Sequence, residues 1–190
     1  MTVHRSAKVI VLLGLAAAAW GGFCLGQEAT AEFRGRIFMG GGPNRPGALT
    51  TRIIVSGYTD LNDIQKLAVP LNAGDVEGFF SVFRQMKKGE MRFVGGAGLQ
   101  INFNAAQERQ TDKGIKIFLV GDSRSIESGV AKRVAGSALF LVVELDLNAK
   151  YEGEGKIYED ARISFTADGM IKLDSYLTTP KLIVNVRKSK

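Results

Sequence analysis

Along most of the chain, apolar residues recur at every second position, the period of a half-buried strand. Phe33, Gly35, Ile37 and Met39 fall on one face, with Arg34 and Arg36 on the other. Residues 39–47 (MGGGPNRPG) read as a loop, because Pro and clustered Gly do not sustain a ladder. A second strand near 51–56 carries Ile53 and Val55. The period then changes. Thr59 or Asp60 can cap a short helix with Leu61, Ile64, Leu67 and Ala68 on one side, and Pro70 is expected to end it. Asn72 is expected to cap a second helix, in which Val76, Phe79, Phe80 and Phe83 recur at i, i+3, i+4 and i+7. Lys87, Lys88 and Gly89 follow as its C-terminal signals.

Strand pattern resumes at 91–94. Ile101, Phe103 and Ala105 alternate, as do Ile115, Ile117 and Leu119, and Asp112-Lys113-Gly114 between them is a hairpin-type turn. Residues 125–138 are ambiguous, with Ile126, Val130 and Val134 at helical spacing but interrupted by glycine. Leu139, Leu141, Val143, Leu145 and Leu147 mark the longest strand, with Glu144 and Asp146 facing the other way. Strands over 157–166, 170–176 and 182–187 follow, the first two joined at Asp168-Gly169. Connections this short imply antiparallel pairing. The expected fold class is α+β and β-rich: a meandering antiparallel sheet of about eight strands, a partial barrel or a sandwich, with a two-helix insertion after the second strand. A chain of 190 residues, 45% of them hydrophobic and 23% charged, accommodates this as a single β-rich domain over 27–190.

The first 26 residues follow a different pattern. His4, Arg5 and Lys8 make a basic start, residues 9–20 carry no charge, and Gly21, Gly22 and Gly26 give a small-residue exit. This is the layout of a secretory signal peptide, with cleavage expected after Gly26 or Ala31. The protein is therefore expected to be exported, periplasmic or secreted. The alternative is an N-terminal membrane anchor, since the apolar stretch 9–26 is 18 residues long, at the short end of a bilayer span. Cleavage would remove both His4 and Cys24, and reduce the 25 basic residues to 23 against 19 acidic ones, a net charge of +4.

That inventory excludes much chemistry. Without imidazole or thiol there is no Ser-His-Asp or Cys-His nucleophile pair, no ordinary zinc site and no thiol redox pair. No cofactor or metal is expected. Gly121-Asp122-Ser123 resembles the nucleophile block of GDSL-type hydrolases, yet no His follows it to activate the serine. Residues 95–98 (GGAG) do not complete a dinucleotide-binding loop, because the last glycine of that pattern would fall on Ile101. The run from Asp146 to Asn148 starts like a calcium loop, but Lys150 and Tyr151 stand where a ligand and a glycine belong. Carboxylate chemistry remains. Glu144 and Asp146 share a strand face, and paired carboxylates can hydrolyse a glycosidic bond. The basic tail Arg187-Lys188-Ser189-Lys190 lacks the aromatic platforms of a nucleic-acid surface, so no nucleic-acid partner is expected.

Val143-Glu144-Leu145, Gly153-Glu154-Gly155-Lys156, Ala161-Arg162-Ile163, Asp174-Ser175-Tyr176, Pro180 and Asn185-Val186-Arg187 together resemble a family of uncharacterised exported bacterial proteins. The resemblance spans most of the chain after residue 26 and is most specific after residue 139. It implies a small secreted or periplasmic domain, and brings no catalytic residues with it. Where relatives carry an aromatic-rich segment, residues 128–138 here are rich in Gly, Ala and Ser.

These readings favour a non-catalytic envelope protein, a binding or interaction module whose partner is an envelope protein or a small ligand. Its expected binding rims are 40–47, 95–98 and 123–136, loops at a sheet end. The competing readings are a carboxylate-based hydrolase of envelope or extracellular polysaccharide, using Glu144 and Asp146, and a membrane-tethered subunit of an envelope assembly, if residues 9–26 are retained.

Overall fold

The computed structural model describes residues 31–38, 47–94, 99–123, 140–166 and 168–189. In chain order the elements are β1 (Ala31–Ile37), β2 (Leu49–Val55), α1 (Leu61–Asn72), α2 (Val76–Phe83), β3 (Gly89–Val94), β4 (Gln100–Phe103), β5 (Ala105–Thr111), β6 (Gly114–Asp122), β7 (Phe140–Leu147), β8 (Glu152–Phe165), β9 (Ile171–Tyr176) and β10 (Lys181–Lys188). All ten strands belong to one antiparallel sheet of order β4-β3-β2-β1-β10-β8-β7-β6-β5, with β9 paired to β8. The expected meander and the helix pair after β2 are present. Among the described residues the strands number ten where about eight were expected, and the sheet is open. No ladder joins its end strands β4 and β5, so it does not close into a barrel, and its strands do not divide into the two sheets of a sandwich.

Those end strands are consecutive in the chain, with only Asn104 between them. Asn104 explains why the alternation through Ile101, Phe103 and Ala105 does not continue as one strand. Its N–H donates to Val120 O at 2.8 Å and its side-chain amide to Met86 O at 2.9 Å. The extra residue shifts the phase of the alternation, so Ile101 and Phe103 face the same core as Ala106, while Ala105 faces the opposite one.

Two cores result. One face gathers Phe33, Ile53, Met91, Ile117, Val143, Leu145 and Ile183 from strands along the whole sheet. The other face, over β5 to β9, is covered by the helices. There Phe79, Phe80 and Phe83 of α2 pack around Phe140, with ring centroids 5.6–5.7 Å from it. Among the described residues no member of this second core comes from β1, β2, β3 or β10, so the outer face of that half of the sheet lies beyond the helices.

The helix boundaries differ from expectation at two points. Pro70 lies inside α1 and does not end it. Proline removes one donor, but the last turn survives because the N–H groups of Ala73 and Gly74 reach Val69 O and Leu71 O. The chain turns at Gly74, whose φ of +71° suits glycine. The cap of α2 is Asp75, not Asn72: its Oδ1 accepts from the Gly78 N–H at 2.8 Å. Asp60 caps α1 as expected, accepting from the Asp63 N–H at 2.7 Å.

Two strands carry irregularities that shape the surface. β8 bends at Asp160, where φ is +53°, and its two halves take different neighbours on one side: β10 along the first half, β9 along the second. β10 is bulged at Asn185, with φ +54°, against both β1 and β8. The segment 125–138 lies outside the described residues. Among the described residues no helix is long and apolar enough to cross a membrane.

Candidate functional site

Glu144 and Asp146 project from the same face of β7, as the alternation requires, into different surroundings. Glu144 is buried at 8% exposure, whereas the Asp146 side chain is half exposed. Lys116 of β6 sits between them. Its Nζ donates to Glu144 Oε1 and lies 2.9 Å from Asp146 Oδ1. Tyr158 Oη donates to Glu144 Oε2 at 2.9 Å, and the Tyr158 ring packs 4.9 Å from that of Tyr176. Burial pulls the Lys116 ammonium down, but the hydrogen bonds and charges of the two carboxylates outweigh it and hold the group above its ordinary value. Burial, then Glu144, pushes the Tyr158 phenol upward. Both Glu144 oxygens thus hold donors. The arrangement neutralises a buried carboxylate and fixes Lys116 and Tyr158 at the border of the aromatic core.

A second arrangement lies on the outer face of β1 and β10, the half left bare by the helices. The alternation of β1 turns Arg34 and Arg36 outward, while Phe33, Gly35 and Ile37 face the core. β10 pairs with β1 so that Arg187 stands directly opposite Arg34. At Gly35 the Ile183 side chain fills the space a Cβ would take, with its Cγ2 2.6 Å from that position. Beside the bulge at Asn185 lies a groove of about 590 Å³, lined by Arg34, Arg36, Thr50, Glu152, Asn185 and Arg187.

The charges in this groove are unbalanced. Glu32 is shared by Arg34 Nε at 3.2 Å and Arg52 Nη2 at 2.5 Å, and the Arg52 hydrogen bond is the main cause that holds its carboxyl below the usual range. Arg36 and Arg187 form no ion pair among the described residues. Among the described residues Arg34, Arg36 and Arg187 line the groove with one carboxylate, Glu152, which stands opposite Arg187 across the β8–β10 ladder, while Arg34 also reaches Glu32 at its edge. Such an arrangement can hold an anion through forked N–H donors.

A smaller cavity of about 470 Å³ lies between the start of α1 and the Asp168-Gly169 turn. Its acidic groups are engaged. Glu108 accepts from Tyr58 Oη at 2.5 Å and Tyr151 Oη at 3.4 Å, Asp60 caps α1, and Asp168 accepts from Thr166 Oγ1. Burial, then Glu108, pushes the Tyr58 phenol upward.

Of the expected binding rims, 40–46, 95–98 and 124–136 lie outside the described residues; Gly47 and Ser123 lie within them. From the sequence alone, Arg34 and Arg36 stand on the polar face of a strand and Arg187 in a solvated tail. The pairing of the first strand with the last, which joins them, has no local signal. No family model, curated protein or solved structure matches the chain.

Proposed function

We propose that this protein is an exported, non-catalytic binding module of the bacterial cell envelope, acting in the periplasm or after secretion. The observation that carries the reading is the groove on β1 and β10, in which Arg36 and Arg187 have no ion-pair partner among the described residues. Uncompensated arginines in a concavity of ligand size are a recognition surface for something negatively charged. Export is supported by the basic, apolar and small-residue sequence of the first 26 residues. Cleavage after Gly26 leaves β1 whole, whereas cleavage after Ala31 would remove a core residue that pairs with Val55.

The test is the native mass of the protein purified from an envelope fraction. The reading expects loss of residues 1–26, and an anionic adduct or partner that high salt removes. An intact N-terminus in carbonate-washed membranes would replace it with the tethered subunit. Release of sugars from envelope polysaccharide, abolished by alanine at Glu144 and Asp146, would replace it with the hydrolase.

A further inference from the structure

We infer that the groove between β1 and β10 binds a phosphomonoester, of the kind carried by a phosphorylated sugar. The inference rests on the binding-module reading and specifies its ligand. Arg34 and Arg187 are cross-strand partners in a hydrogen-bonded ladder, and Arg36 follows on the same face of β1. Like charges directly opposite one another are destabilising, and although Glu32 lies 3.2 Å from Arg34 and Glu152 stands opposite Arg187 in the next ladder, Arg36 adds a further positive charge beside them. At the same place the bulge sets Asn185, whose φ of +54° asparagine tolerates, on the wall of the groove. A bound anion offsets the repulsion.

The charge count selects its class. Three arginines against Glu152 leave two positive charges along the groove. Including the flanking Arg52 and Glu32, which offset one another, does not change that balance. A phosphomonoester carries about −1.5 to −2 near neutral pH and presents three acceptor oxygens. A carboxylate supplies one negative charge and two oxygens, so it leaves an arginine unmatched. Thr50 and Asn185 add neutral polar groups beside the arginines. The volume, about 590 Å³, has room for a sugar beyond the phosphate.

The experiment is calorimetric titration of the purified protein with glucose 1-phosphate and, at matched ionic strength, with galacturonate. Saturable binding of the phosphate is expected, about tenfold or more tighter than the uronate. The double variant Arg36→Gln/Arg187→Gln should weaken it by about tenfold or more with an unchanged circular dichroism spectrum. Lys172→Gln, away from the groove, should leave it unaltered. Sedimentation with phosphatidic acid vesicles but not phosphatidylcholine vesicles, competed by glucose 1-phosphate, would assign the group to a lipid; soluble binding alone would assign it to a free or glycan-borne phosphate. Absence of saturable phosphate binding, equal affinity for galacturonate, or binding indifferent to the double variant would overturn the inference. An adduct that survives in the double variant would do so while sparing the binding-module reading.

Discussion

Replacing Glu144 with alanine removes the acceptor of both Lys116 Nζ and Tyr158 Oη. Tyr158 is buried at 5% exposure, and a buried hydroxyl left without a partner costs about 2 kcal/mol. The lysine loses less, because it is about a quarter exposed and keeps Asp146 at 2.9 Å, so its share is about 0.5–1 kcal/mol. The expected total is about 3 kcal/mol, or roughly 6–12 °C in Tm for a domain of this size. Glu144→Gln retains the volume and an acceptor for Tyr158, and should lose only about 1 kcal/mol. Urea unfolding followed by circular dichroism reads both variants, provided the m-value stays constant. Glu144→Ala within about 0.5 kcal/mol of the parent protein would refute the structural role assigned to this carboxylate.

Other expectations follow from the same geometry. Phe140→Ala, at the centre of three phenylalanines of α2, should destabilise by about 3–5 kcal/mol in the same assay; a loss below about 1 kcal/mol would deny that the helices are anchored there. Tyr58 and Tyr158 hold their protons above the ordinary phenol value of 10.0, through burial first and their glutamates second. The unfolded chain releases these protons earlier, so stability that is complete below about pH 10 should decline as the pH rises beyond it. Equal urea midpoints at about pH 9 and pH 11 would contradict this. Arg187→Gln removes a like-charged cross-strand pair with Arg34 and an opposite-charged one with Glu152, so stability should stay within about 0.5 kcal/mol of the parent protein; a loss above about 1 kcal/mol would argue that an ion pair holds Arg187 out of the groove.

Most strands and the turns at Asp112-Lys113-Gly114 and Asp168-Gly169 are legible in the sequence because period-two alternation and turn residues are local signals. So is the aromatic face of α2, although Val76 at its start is exposed. β8, however, begins at Glu152 and not at 157, and at 14 residues it, not β7, is the longest strand among the described residues. Helix limits are less legible. Pro70 signals a break, yet in the last turn of α1 neighbouring N–H groups still find acceptors, and Asp75 offers a better cap than Asn72 because it stands directly before the helical turn it serves. The division between β4 and β5 depends on Asn104 reaching Val120, a contact across the sheet that alternation does not encode. The same limit hides the groove. Arg34, Arg36 and Arg187 are ordinary outward positions of two strands, and only the β1–β10 ladder brings them together. Glu144 stands out through its spacing from Asp146, but its burial and its bond to Tyr158 come from the bend and register of β8.

The most direct measurement is an amide-correlation NMR titration of isotope-labelled protein with glucose 1-phosphate. Gly35, Gly153 and Asn185 report from the floor and bulge of the groove, while Gly169 reports from the smaller cavity. The account predicts saturable shifts at the first three amides and a silent Gly169. Shifts concentrated at Gly169, or a spectrum unchanged throughout the titration, would contradict it.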